Sequence, residues 1–94
     1  MNNISYDQAI NLIRNYNVIL LDVQTELDYS KKHLSGSFNI PVEIIKFAIE
    51  KIIKNKNEII IVYCLSGIRS VAACDMLERL GYKNVYNIKG GIDS

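Results

Sequence analysis

Cys64 stands at the end of the apolar run Ile59–Leu65 and is followed by Ser66, Gly67, Ile68, Arg69 and Ser70. A thiol attacks only as its thiolate, and an ordinary cysteine, with a pKa of about 8.5, is only ~3% ionised at pH 7. The residues after Cys64 are of the types that favour the charged form. Leu65-Ser66-Gly67-Ile68 is a short loop leading into a helical pattern, so its backbone N–H groups can curl around the sulfur. The helix N-terminus adds roughly half a unit of positive charge. Gly67 suits a loop that needs a positive φ to turn several N–H groups inward. Arg69 can bring its guanidinium to the same place. Such a cradle binds a small anion or an anionic sulfur species, held near or on the sulfur. Cys64 is therefore the candidate nucleophile, with Leu65, Ser66, Gly67, Ile68 and Arg69 around its substrate. A cysteine that ends a buried strand can also be a small hydrophobe and nothing more. The run Cys-x-x-Gly-x-Arg-Ser ahead of a helix favours chemistry over packing.

The elements that position these residues follow from periodicity. "EIIIVYC" (58–64) reads as the most buried strand, and Arg69 to Leu80 as a helix closed by Gly81 at C′. Upstream, Ser5 and Gln8 make a capping box for a helix that ends near Tyr16-Asn17, with Ala9, Leu12 and Ile13 on its apolar face. "VILLDV" (18–23) has the two-sided apolar character of a parallel strand. Thr25 and Asp28 start a short helix through Tyr29 to Lys32. Phe38 to Ile40 is a brief strand stopped by Pro41. Residues 42–57 read as one amphipathic helix with Ile45, Ala48, Ile49 and Ile52 facing inward. "NVYNI" (84–88) is a last strand. Strands alternating with helices predict an α/β fold with a parallel sheet covered on both faces. Ligands in such sheets sit beyond the carboxyl ends of the strands, where Cys64 falls.

Bulk properties narrow the function. The 94 residues suit one domain, 1–94, and the hydrophobic fraction of 49% suits a packed core. A net charge of +1, with no basic block beyond Lys31-Lys32, gives no electrostatic reason to expect nucleic acid or an anionic membrane as partner. No apolar run is long enough to span a bilayer. The first residues lack a cationic start followed by an apolar core, so a cytoplasmic location is expected. Cys64 and Cys74 have neither Cys-x-x-Cys spacing nor a nearby His, so neither a metal site nor a cofactor is expected. Asp22 is expected to order a loop by hydrogen bonding, His33 to be structural and Cys74 to pack.

"ILLDVQTELDYSKKHLSGSFNIP" and "IVYCLSGIRSVAACDMLERLGYKNVYNIKGGI" together cover nearly the whole chain. They resemble the rhodanese-like domains, the single-domain sulfurtransferases. The resemblance implies a central, mostly parallel five-stranded sheet flanked by helices on both faces. It implies that Cys64 takes a sulfane sulfur from a small anionic donor such as thiosulfate, holds it as a persulfide, and passes it to a thiol or cyanide, the thiol being one on a protein in some cases. The N–H groups of Leu65 through Arg69 would steady the persulfide, and Arg69 with the Ser70 hydroxyl would hold the oxyanion end of the donor. Cys64 through Arg69 is a six-residue loop, the length that goes with sulfur transfer in this fold. Cysteine phosphatases place five residues between the cysteine and the arginine, and this chain places four. A non-catalytic binding module is the other alternative; such relatives usually lack the cysteine that this chain keeps. The chain departs from the family pattern at Gln24, where Arg is frequent, at Lys32, where Gly is common, and at Leu65, where many thiosulfate-using relatives carry a basic residue.

Overall fold

The structure is a computed structural model and describes residues 1–93. Five strands alternate with four α-helices: β1 (Asn2–Ile4), α1 (Tyr6–Asn15), β2 (Val18–Asp22), α2 (Glu26–Lys31), β3 (Phe38–Asn39), α3 (Ile45–Ile52), β4 (Ile59–Tyr63), α4 (Ile68–Arg79) and β5 (Asn84–Ile88). The strands form one sheet in the order β1-β5-β4-β2-β3, and every pairing is parallel. The strand that leads into Cys64, β4, is thus the middle one.

Alternation along the strands divides the core. On one face Leu21, Ile60, Val62 and Val85 pack with Ile45 and Ile49 of α3 and with Ala73, Cys74 and Leu77 of α4. On the other, Leu20, Ile61, Tyr63 and Ile88 pack with Ala9, Leu12 and Ile13 of α1. Both faces of β4 are covered, which is why it reads as an unbroken apolar run. Each fully buried Leu or Ile contributes about 1.5–3 kcal/mol through lost apolar hydration.

The caps read from the sequence form. The Ser5 hydroxyl accepts the Gln8 N–H at 3.0 Å while the Gln8 side chain accepts the Ser5 N–H at 2.8 Å. Thr25 accepts the Asp28 N–H at 3.1 Å, and Gly81 follows α4 with φ +96°. Two expectations are corrected. The segment 42–57 is not one helix: a 3₁₀ turn at Val42–Ile44 precedes α3, which ends at Ile52 with Ile53 as its extended C-cap. Asn55 then closes a turn, its side chain accepting the Asn57 N–H at 2.9 Å. Chain extension at Ile53 rotates that side chain into the core, where it is 3% exposed, and leaves Ile52 54% exposed. The second correction is an addition. Four strands were legible by pattern, and the fifth is β1. Its Asn2-Asn3-Ile4 has little strand propensity and is extended because it pairs with Tyr86, Asn87 and Ile88 at the sheet edge.

Candidate active site

The Cys64 side chain is 1% exposed and lies just beyond β4. Its Sγ accepts the Gly67 N–H at 3.0 Å and the Ser70 N–H at 3.4 Å, and lies 3.6 Å from the Ser70 hydroxyl. The Ser70 Oγ in turn donates to the Gly67 carbonyl at 3.2 Å. A hydroxyl rotates freely, so it can accept from a thiol and donate to a thiolate. Of the amides expected to face the sulfur, Leu65 through Arg69, Gly67 does so by direct bond; the second direct bond comes from the Ser70 N–H in the first turn of α4, an amide the sequence reading did not include. Ile68 and Arg69 open α4, where no carbonyl one turn back within the helix can take their N–H groups. Their N–H groups are of the kind that a helix start offers to an anion.

Gly67 has φ +91° and caps α4. A Cβ there would also stand 3.1 Å from the Gly90 nitrogen, so glycine is required both by conformation and by close approach. Gly91, with φ +74°, presses on the loop from the same side: a Cβ on it would overlap the Leu65 carbonyl oxygen and come within 2.7 Å of the Cys64 oxygen. The next two N–H groups hold those carbonyls, Ile92 to Cys64 at 3.2 Å and Asp93 to Leu65 at 3.0 Å. Segment 91–93 is thus part of the site, and reading around Cys64 alone missed it. The Gly-Gly pair was its signal. Leu65 leans into the α1-side core, Ser66 is exposed, and Ile68 is 78% exposed beside the loop.

Arg69 does not bond the sulfur. Its Nη2 meets both oxygens of Glu43, at 2.5 and 2.6 Å, and its Nε donates to the Val23 carbonyl at 3.2 Å. The side chain ties the start of α4 to the end of β2 and to the 3₁₀ turn. Glu43's own backbone N–H, and after it the Arg69 guanidinium, hold the Glu43 carboxyl below the usual carboxylate range.

The flanking residues are placed by other bonds. Asp22 is fully buried; its carboxylate accepts the Gln24 N–H and Gln24 Nε2, both at 2.8 Å, and the Asn39 amide at 3.2 Å. It orders the turn after β2. His33 stacks on Tyr29 with ring centroids 3.9 Å apart, and its Nδ1 lies 2.6 Å from the Tyr29 carbonyl. A carbonyl can only accept, so Nδ1 carries the proton. Tyr63, one residue before Cys64, accepts the Leu34 N–H through its hydroxyl, which also lies 2.9 Å from the Ser37 Oγ. Burial raises its pKa and keeps it neutral. Cys74 lies wholly inside α4's buried face, where burial, followed by Glu78, pushes its thiol up to about 12. It stays protonated at neutral pH. Among the described residues, no three His, Cys, Asp or Glu side chains converge as metal ligands, and no helix is long and apolar enough to cross a membrane.

A parallel α/β sheet with a cysteine just beyond its middle strand, and loop and helix amides turned onto the sulfur, is a thiol-centred α/β domain of the strand-end type. The chain belongs to the rhodanese-like domain family, whose profile matches residues 5–94. It is 38% identical over 86 residues to a tRNA uridine(34) hydroxylase of Buchnera aphidicola, covering 87% of this chain but 28% of that protein. The chain therefore spans under a third of that relative's length. It is 34% identical over 70 residues to a thiosulfate sulfurtransferase of Escherichia coli, covering 74% of this chain and 67% of that one. The solved structure of a rhodanese with anions from E. coli superposes with a TM-score of 0.76 at 32% identity, covering 83% of this chain and 92% of that chain.

Proposed function

We propose that this chain is a sulfurtransferase that moves a sulfane sulfur from thiosulfate or a related anionic donor to a thiol or cyanide through a persulfide on Cys64. The observation that carries the reading is the buried Cys64 Sγ, held by the Gly67 and Ser70 N–H groups at the end of the central strand. The Cys64 thiolate attacks the outer sulfur of thiosulfate. A new S–S bond forms, the old one breaks, and sulfite leaves with its electron pair. An acceptor thiolate or cyanide then attacks the outer sulfur of the persulfide, and Cys64 leaves as thiolate. The amides of Leu65 through Arg69 hold the negative charge at each stage, and α4's N-terminus adds to them. Arg69, occupied by Glu43, steadies the loop in this state, and Ser70 serves the sulfur directly. The named sulfurtransferase relative and the anion-holding E. coli structure support the reading. Both cysteines are free thiols, which suits a reducing compartment such as the cytoplasm.

Intact-protein mass spectrometry after thiosulfate treatment tests the proposal. The expected result is a single-sulfur adduct on Cys64 that a thiol reductant or cyanide removes. No adduct, with a folded protein, would favour a non-catalytic module. The hydroxylase relatives suggest modification of a tRNA uridine as a second reading, favoured by the 38% identity. Cys64-dependent modification of tRNA without sulfur uptake would support it.

Leu65 is the position at which donor binding is expected to be limited. Replacing it with Arg is expected to lower the thiosulfate KM by about three- to tenfold, the tenfold limit corresponding to ~1.4 kcal/mol. kcat should change little, because the added charge holds the donor in the ground state as much as in the transition state. The arginine stem can follow the half-buried path of Leu65 while its head reaches water. Steady-state kinetics with thiosulfate and cyanide measure this. A parallel p-nitrophenyl phosphate assay is expected to give no Cys64-dependent hydrolysis, since the four-residue spacing closes too small a ring for a phosphoryl group.

A further inference from the structure

We propose that Lys32 is a positioning residue for the Cys64 loop, acting through segment 91–93; its consequence for catalysis rests on the sulfurtransferase reading. Gln24 and Lys32 both depart from the family pattern, and in the structure they meet. The Gln24 side chain, 2% exposed, donates from Nε2 to the Lys32 carbonyl at 3.0 Å and to Asp22 at 2.8 Å. Those bonds fix the Lys32 backbone relative to the end of β2, which pairs Asp22 with Tyr63 of β4. From there the Lys32 ammonium reaches the Ile92 carbonyl at 3.3 Å and the Asp93 carboxylate at 3.8 Å. Ile92 and Asp93 are the residues whose N–H groups hold the carbonyls of Cys64 and Leu65. A chain of contacts therefore runs from β2 through Gln24, Lys32 and the closing segment back to the loop beyond β4.

The peptide unit explains what this does. In a trans peptide the C=O and the following N–H point in opposite directions within one plane. Drawing the Cys64 and Leu65 carbonyls toward Ile92 and Asp93 turns the Leu65 and Ser66 N–H groups the other way, away from the closing segment. These are two of the amides that the proposed function gives to the cradle, beside the Gly67 and Ser70 N–H groups already on the sulfur. The ammonium–carboxylate contact is solvated, with side chains 55% and 65% exposed, and by itself is weak. Its effect lies in keeping segment 91–93 seated, so a moderate change in rate is expected.

The experiment compares the full chain with Lys32→Met, which removes the ammonium and keeps the stem, and with Lys32→Arg. Sulfur transfer from thiosulfate to cyanide is measured, together with amide hydrogen exchange at Ile92 and Asp93 referred to Ile61 in the middle of β4. For Lys32→Met we expect kcat to fall about three- to tenfold with KM within twofold, and exchange at Ile92 and Asp93 to quicken by a similar factor relative to Ile61. Lys32→Arg should restore both. Unchanged relative exchange in Lys32→Met overturns the proposal. So does a raised KM at constant kcat, which would make Lys32 a direct contact of the donor, and so does failure of the arginine to restore either quantity. If the unaltered chain transfers no sulfur, the functional reading fails by itself, and the exchange comparison still decides whether Lys32 seats segment 91–93.

Discussion

Cys64→Ser is expected to abolish sulfur uptake, lowering the transfer rate by on the order of a thousandfold or more. A serine hydroxyl has almost no anionic form at neutral pH and cannot carry a sulfane sulfur as a persulfide. The substitution nearly preserves shape, and the new hydroxyl inherits the Gly67 and Ser70 N–H groups that now hold the sulfur. The fold should therefore remain, with circular dichroism and the thermal midpoint close to those of the parent. Cys74→Ala is the matching control. That thiol is buried, protonated and packed in the core, so its removal should cost some stability and leave kcat/KM within about twofold, on the scale of substitutions that touch no reacting group. A Cys64→Ser protein that transfers sulfur at the parent's rate would remove Cys64 from the mechanism.

Gly91→Ala is expected to have the next largest effect, and Gly90→Ala far less. Both glycines have positive φ, +77° at Gly90 and +74° at Gly91, so alanine at either pays a left-handed penalty of about 1–2 kcal/mol. Space separates them. Nothing lies within 4 Å of a Cβ on Gly90, whereas a Cβ on Gly91 would be 2.5 Å from the Leu65 carbonyl carbon and 2.7 Å from the Cys64 oxygen. Those are backbone atoms, which cannot swing aside like the end of a flexible side chain. The loop must move, and with it the Ile92 and Asp93 bonds to Cys64 and Leu65. Overpacking adds about 1–3 kcal/mol, a large share of the roughly 5–15 kcal/mol that holds a small domain together. The thermal midpoint of Gly91→Ala should drop by on the order of 10 °C or more, at about 4–8 °C per kcal/mol for a domain of this size. Sulfur transfer should fall by at least about a hundredfold, since loop displacement removes several charge-directed amides together. Equal effects at Gly90 and Gly91 would show that conformation alone, and not the contact with the loop, makes the Gly-Gly pair necessary.

What could be read from the residues in order is what short-range physics settles. The unbroken run Ile59–Val62 is apolar on both sides, and only a strand covered on both faces has a use for that. Ser5 with Gln8, Thr25 with Asp28, and Gly81 mark helix ends because caps are bonds between near neighbours. Gly67 announces its own left-handed turn, and Cys64 its place ahead of a helix start, within a span of seven residues. The arrangement of the thiol, the loop and the first turn of α4 was therefore legible, as was the quiet role of Cys74 inside that helix. Tertiary structure alone decided the rest, because it depends on residues far apart in the chain. Arg69 is drawn to Glu43 by a 3₁₀ turn that local periodicity merged into α3. Ile53 takes the core place that periodicity gives to Ile52 because the helix ends at Ile52, well short of the span its pattern suggests. Asn2–Ile4 becomes a strand because β5 offers a free edge. Lys32 reaches the Ile92 carbonyl across 60 positions, and Gly91 meets Leu65 only once β4 and β5 lie side by side. Periodicity records which side of an element faces the core; it carries no record of which distant backbone will come to rest against a glycine.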